Sequence, residues 1–178
     1  MATLALVLDR ARLLPLELSL REVFPTAPGR GGASTLEDLL RHRSGIVAWA
    51  PLGLRLGKRL ADRADFADFL LSASLWPEGD AARGARAAYS DLGYILWGLA
   101  AERVTGRSLA DLLDTHVAEP LGLAPLGALA ARPPAEEIVE CRLDNGREVE
   151  LAAELGLRLS RQAPHLRGVP QDGNARAS

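Results

Sequence analysis

The stretch from Tyr89 to Gly106, "YSDLGYILWGLAAERVTG", constrains the fold more than any other part of the chain. Leu92, Ile95, Leu96 and Leu99 form one apolar face at helical spacing, while Tyr94, Trp97, Ala101 and Val104 cover the other. A helix that is apolar nearly all round is stable in water only when neighbours enclose it. It is therefore expected at the centre of a larger body, closed by Gly106 and capped by Ser90 or Asp91. Ser108 predicts the next cap, and Leu109, Leu112, Leu113 and Val117 give the following helix one apolar side up to about Glu119, before Pro120. With 178 residues and 48% hydrophobic content, the chain has enough material for a packed domain to surround the first of these helices.

The neighbours are legible in outline. Leu4, Val7, Leu8, Ala11 and Leu14 share a stripe and predict an amphipathic helix from Ala2 to Leu14, stopped by Pro15. It begins without a side-chain cap, which leaves its first amides without acceptors. Leu14, Leu16, Leu18 and Leu20 alternate, so an extended segment is expected before the loop "PTAPGRGG". Ser34 and Glu37 have capping-box spacing for a short helix that buries Leu36, Leu39 and Leu40 and ends at Gly45. A further helix is expected from about Asp62 to Ser74, with Phe66, Phe69 and Leu70 inward, followed by the loop "WPEGD".

After Leu123 the composition changes. "LGALAARPPAEE" is linker-like, "EIVECRLDNGREVEL" alternates around Asn145-Gly146 in the manner of a β-hairpin with a type I′ turn, and no periodicity remains from about Ala163. The fold class is mainly α with a small β-hairpin. Its parts are a helical region over 1–124, linker and hairpin over 125–162, and a disordered tail over 163–178.

Several function classes fall away. A net charge of −2 with both signs interspersed gives no basic stripe, so no nucleic-acid partner is expected. Asp9, Arg10 and Arg12 interrupt the first apolar run well short of the roughly 18 residues a membrane span requires. Met1 to Leu8 lacks both a basic region and a cleavage site, so no signal peptide is visible, and periplasm and cytoplasm both stay open. The single cysteine, Cys141, excludes an internal disulfide and a Cys-cluster zinc site and reads as a packing residue. No metal site is expected: Asp111 and Asp114 lie in the first half of a helix, where negative charge suits the dipole. Trp49, Trp76 and Trp97 are scattered and read as anchors of core or loop.

Tyr89-Ser90-Asp91 has two readings. Ser and Asp are preferred caps and the tyrosine is then a packing staple. Alternatively, a phenol, a hydroxyl and a carboxylate stand together at the positive end of a buried helix, where chemistry is feasible. Ser44 reads as part of a helix-ending turn, since no Gly-x-Ser-x-Gly elbow surrounds it, and His42 reads as a surface or loop-bracing histidine, since nothing in the sequence orients it as a base.

Three motifs in order decide between them: Leu39-Leu40-Arg41-His42-Arg43-Ser44-Gly45, then Tyr89-Ser90-Asp91, then Glu119-Pro120-Leu121-Gly122. Together they resemble the serine beta-lactamase-like family, which includes class C beta-lactamases, D-alanyl-D-alanine peptidases and related esterases. The resemblance runs from near residue 4 to residue 123. It implies the helical portion of the α/β beta-lactamase/transpeptidase-like fold, an acyl-transfer mechanism without metal or organic cofactor, and a small-molecule acyl substrate for the complete protein. It implies Tyr89 as general base and acid, and Asp91 at a position where the family carries asparagine. A carboxylate at that position accepts hydrogen bonds without donating them, a departure that points toward an esterase-like member.

The family's nucleophile is the serine of Ser-x-x-Lys. Lys58 is the only lysine, Arg55 stands three residues before it, and no Ser-x-x-Lys, Lys-Thr-Gly or His-x-Gly triplet occurs. The chain therefore holds no nucleophile of this type. The uncapped first helix resembles the segment that follows Ser-x-x-Lys in the family, so the chain is expected to be a fragment, inactive alone, with an exposed apolar face through which it self-associates. The alternative is a non-catalytic helical binding or scaffold module derived from the hydrolase fold.

Overall fold

Leu4 and Leu8, one turn apart on helix α1 (Ala2–Arg10), are both fully buried, and the helix starts at Met1 without a side-chain cap. The computed structural model describes residues 1–27, 29, 31–50, 52, 63–77, 87–125, 141–142, 146–158 and 165–166. They divide into two compact units, Met1–Ala50 with Arg63–Ala128, and Pro51–Asp62 with Leu129–Ser178.

In the first unit, α1 ends at Arg10, short of the Leu14 expected from the stripe. Arg12 takes a left-handed conformation (φ 58°), and the Asp9 carboxylate accepts the Leu16 amide at 2.9 Å, which turns the chain. Leu14 still joins the core, because its amide reaches back to the Leu8 carbonyl at 3.3 Å. The expected extended segment runs beside 34–37. Leu20 N–H donates to the Ser34 carbonyl (2.7 Å) and Leu36 N–H to that of Leu18 (2.9 Å), around an antiparallel bridge of Ser19 and Thr35.

The alternation of leucines gave no sign of the next element. Helix α2 (Leu20–Val23) is a single turn fixed by a capping box, in which Ser19 and Glu22 exchange side-chain and backbone bonds. Helix α3 (Leu36–Leu40) also has a capping box, but Thr35 and Asp38 make it instead of Ser34 and Glu37. Ser34 is buried and its hydroxyl donates to the Ser44 carbonyl at 3.1 Å, so it is unable to serve as the cap. Leu36 and Leu39 are fully buried, whereas Leu40 is partly exposed.

Helix α4 (Arg63–Leu70) buries Phe66 and Leu70 and leaves Phe69 half-buried, then yields to a 3-10 turn at Ala73–Leu75. Trp76 closes this corner: its indole N–H donates to the Leu70 carbonyl at 3.0 Å, and its ring packs on Gly31.

Helix α5 (Asp91–Thr105) is the centre, in contact with α2, α3, α4 and α6 (Leu109–Leu113). Leu92, Leu96, Trp97, Ala100 and Ala101 have no exposed surface, and Leu99 is buried. Tyr94 and Ile95, expected to be enclosed with the rest, are only half-buried, and the enclosure ends at the last turn, where Val104 is exposed and Gly106 (φ 68°) ends the helix. Ser108 caps α6 by accepting the Asp111 amide, while the Glu102 carboxylate takes the Leu109 amide at 2.9 Å. From Asp114 to Ala118 the helix widens into a π turn, against which α1 packs, and Glu119–Leu121 tightens to a 3-10 turn ended by Gly122 (φ 64°).

In the second unit, Cys141–Arg142 (β1) pairs antiparallel with His165–Leu166 (β2), and helix α7 spans Gly146–Glu154. This corrects the expected hairpin: Gly146 opens a helix instead of turning into a second strand. Arg, Glu, Leu and Ala dominate 147–154 and favour helix, an Arg147–Glu150 pair (3.1 Å) spans one turn, and Ala152 is fully buried. Asn145, most of the linker, and the tail apart from His165 and Leu166 lie outside the described residues.

Candidate active site

Tyr89-Ser90-Asp91 leads into α5, and the turn after α3 holds it there. Ala88 N–H donates to the His42 carbonyl at 2.9 Å, and Ser90 N–H donates to His42 Nδ1 at 3.2 Å. The Ser90 hydroxyl donates to the Val47 carbonyl at 2.7 Å, and the Tyr94 hydroxyl to the Leu40 carbonyl at 3.2 Å. The imidazole stands between two phenols, with ring centroids 4.8 Å from Tyr89 and 5.3 Å from Tyr94.

The turn itself is internally braced. Ser44 is buried; its carbonyl accepts the Ser34 hydroxyl and its hydroxyl accepts the Ile46 amide at 3.4 Å. Val47 N–H extends the brace to the Leu75 carbonyl at 2.9 Å. Gly93 permits the close seating of α5 on α3, since a Cβ there would stand 3.1 Å from the Leu39 carbonyl oxygen.

Tyr89 and Asp91 have different environments. Tyr89 is 72% exposed, an unusual setting for a large aromatic that begins a buried helix. Asp91 is half-buried, with its Oδ1 sheltered from solvent, and Ser90 is almost wholly buried. Ser90 occupies the N-cap position with extended backbone (φ −149°, ψ 123°), yet its side chain makes no cap bond. The hydroxyl is spent on Val47 instead. The triplet is thus a pinned platform: one side chain turned inward as a tie, one phenol held out to solvent, and one carboxylate at the edge. The amide dipoles of a 15-residue helix lie behind it, a setting that favours nearby negative charge.

Other sequence candidates take structural places. Ser44 is inside the turn and Trp76 and Trp97 are buried. Asp111 closes the α6 cap, its Oδ2 accepting the Ser108 hydroxyl at 2.6 Å. Among the described residues, no group of three or more His, Cys, Asp or Glu side chains is placed to hold a metal, and no helix is long and apolar enough to cross a membrane. An open depression of about 500 Å³ lies on the π turn, bounded by Asp114, Thr115, Ala118 and Glu119, and not at the triplet. The residue that sequence reasoning undervalued is His42. It is the hub of the site, and the signal for it was its place in the Leu39–Gly45 motif.

The chain is similar to known proteins over most of its length. The family model described as Beta-lactamase matches residues 1–156. Esterase EstB of Burkholderia gladioli is 35% identical over 116 residues, which is 60% of this chain and 29% of the esterase. The unliganded simvastatin synthase (LovD) of Aspergillus terreus superposes with a TM-score of 0.51 at 21% identity, covering 98% of this chain and 48% of the synthase. The chain thus spans less than half the length of the relatives it matches, and its mainly helical body corresponds to the helical portion of their fold.

Proposed function

The chain belongs to the beta-lactamase family, and from that premise we propose that it forms the Tyr89-bearing side of a serine acyl-transfer site. The serine and lysine of that site come from polypeptide beyond these residues. The observation that carries the reading is a solvent-facing phenol on a backbone fixed at both of its neighbours. A proton carrier has to reach reacting atoms while its attachment stays still.

In this mechanism the Tyr89 oxygen takes the proton of the attacking serine hydroxyl, passing its own to the lysine amine, as the acyl carbon–oxygen bond forms. It then returns a proton to the leaving group as the scissile bond breaks, and the same exchange with water releases the acid. Asp91, at the edge of the platform, holds the ammonium of the activating lysine. Because its carboxylate accepts and does not donate, it lends nothing to a substrate amide carbonyl, which favours ester substrates. The similarity to an esterase supports that preference.

Alone, the chain is expected to be inactive. Its only lysine, Lys58, has no serine three residues before it. Leu6 (62% exposed), Leu121 (65%) and Leu123 (50%) support self-association of the isolated chain, which sedimentation velocity measures directly.

The test is to translate the genomic DNA on both sides in frame and to assay the longest product with p-nitrophenyl esters and a chromogenic cephalosporin. A Ser-x-x-Lys ahead of Ala2, ester turnover, and a loss of about 10²–10⁴-fold in kcat for Tyr89→Phe are expected. A stop codon with no serine-lysine partner would leave the non-catalytic helical module as the function.

A further inference from the structure

We propose that His42 is a positioning residue for Tyr89, acting through a hydrogen-bond acceptor that exists only while its Nδ1 is unprotonated. His42 sits in the left-handed region (φ 56°), where glycine or asparagine forms a turn with less strain. Turn formation alone does not call for an imidazole. What the imidazole adds is attachment. The residue's carbonyl accepts Ala88 N–H, its Nδ1 accepts Ser90 N–H, and its ring lies 4.8 Å from that of Tyr89.

Residue 89 is therefore gripped on both backbone flanks by the imidazole of His42 and its own peptide, and its ring meets the imidazole at a tilt of 45°. The phenol keeps its exposure while losing freedom. Such a grip requires the tautomer with hydrogen on Nε2, since an imidazolium would set N–H against the Ser90 N–H. The titratable groups around the ring are the phenols of Tyr89 and Tyr94 from the helix side, with Arg41 and Arg43 flanking it on its own turn. A protonated Nδ1 has no lone pair for the Ser90 N–H, so the hold belongs to the neutral ring.

The catalytic meaning of this grip rests on Tyr89 being the proton carrier, but the grip itself does not, and the two are tested separately. The ¹⁵N-labelled 178-residue chain and its His42→Gly and His42→Asn variants are compared by NMR. In the wild type, Ser90 amide protection, corrected for intrinsic exchange, should fall with the midpoint of the His42 ring titration. His42→Gly should melt no lower than wild type, yet exchange the Ser90 amide about 5-fold faster and show Tyr89 ring signals moved toward those of free tyrosine. His42→Asn, which suits the left-handed turn and offers Oδ1 as acceptor, should restore Ser90 protection, while the Tyr89 ring signals, which depend on the imidazole, stay near those of the glycine variant.

Unchanged Ser90 exchange and Tyr89 signals in His42→Gly, or Ser90 protection that ignores the His42 titration, would overturn the proposal. If the glycine variant does not fold, the wild-type titration and the asparagine variant decide it. A full-length Tyr89→Phe enzyme with undiminished turnover would remove the proton carrier and leave the grip standing.

Discussion

Ser90 stands at an N-cap position, where helix rules allow Asp, Asn or Thr with little loss. The structure requires something narrower. The side chain makes no cap bond; its hydroxyl, on a residue only 1% exposed, donates to the Val47 carbonyl at 2.7 Å. Ser90→Ala withdraws a donor from the part-buried Val47 carbonyl, at a cost of about 1–3 kcal/mol. Total stabilities run to roughly 5–15 kcal/mol, so this is a substantial share. For a chain of this length, about 2 kcal/mol lowers the melting temperature by about 4–8 °C. Ser90→Asp should cost more than alanine, although aspartate is the better cap. A carboxylate has no hydrogen to give Val47 and brings a charge into a site shielded from water. Ser90→Thr keeps the hydroxyl and should lie closest to wild type. Urea titrations and thermal melts followed by circular dichroism rank the three. An aspartate variant as stable as wild type, with alanine within about 0.5 kcal/mol, would refute the reasoning and return Ser90 to the role of simple cap.

Gly31→Ala would put a Cβ 2.7 Å from Trp76 Cδ2, so the indole must move; a loss of about 1–3 kcal/mol and a shift in tryptophan emission are expected. Leu8→Ala, at a fully buried position of α1, should cost about 2–5 kcal/mol in the same urea assay. Tyr89→Phe removes only an exposed hydroxyl and should stay within about 0.5 kcal/mol of wild type, which separates its effect on turnover from any effect on folding. The Ser19 hydroxyl, and then the Ser19 amide, hold the Glu22 carboxyl below its ordinary 4.5. A carboxyl depressed in the folded state stabilises above its unfolded value, and the benefit is lost as pH falls through the folded one. Glu22→Gln should therefore lower the neutral side slightly and remove this group's share of the fall below 4.5, read as urea midpoints in an acid series.

How much of the fold was legible depended on the range of the interaction that decides each feature. Helix α5 could be placed from its own residues because its apolar positions recur in each turn, and all but Tyr94 and Ile95 of those from Leu92 to Ala101 are buried. The stop at Gly106 was equally local, whereas Ser90 stands at the expected start with its hydroxyl given to Val47, 43 residues away, instead of to a cap bond. Errors came where a distant partner claimed a residue that local rules assign elsewhere. Ser34 has the spacing of a cap but is drawn inward by the Ser44 carbonyl, which moves the capping box to Thr35 and Asp38. The end of α1 is set by the Leu16 amide on Asp9, beyond the reach of a stripe of leucines. Asn145-Gly146 carries a strong turn signal, yet the Arg, Glu, Leu and Ala after it prefer helix and β1 finds its partner at His165–Leu166. Cap, turn and propensity are short-range preferences of modest size, and one buried hydrogen bond is enough to overrule any of them.

The same reasoning explains why the site could be named from sequence before it could be understood. Leu39–Gly45 and Tyr89–Asp91 read as separate motifs, and His42 and Ser90 lie 48 residues apart. In space they are one object. His42 ties the amides on either side of Tyr89, Leu40 takes the Tyr94 hydroxyl, Ser44 braces the turn from within, and Gly93 lets the two helices meet closely. The serine and histidine of the first motif resemble catalytic groups by type, but Ser44 Oγ accepts the Ile46 amide within the turn and His42 Nδ1 accepts the Ser90 amide. The group left with its polar end in solvent is the Tyr89 phenol. Buried polar atoms that are fully paired make poor reagents and good supports. The Tyr89 phenol is the side chain that the others hold out.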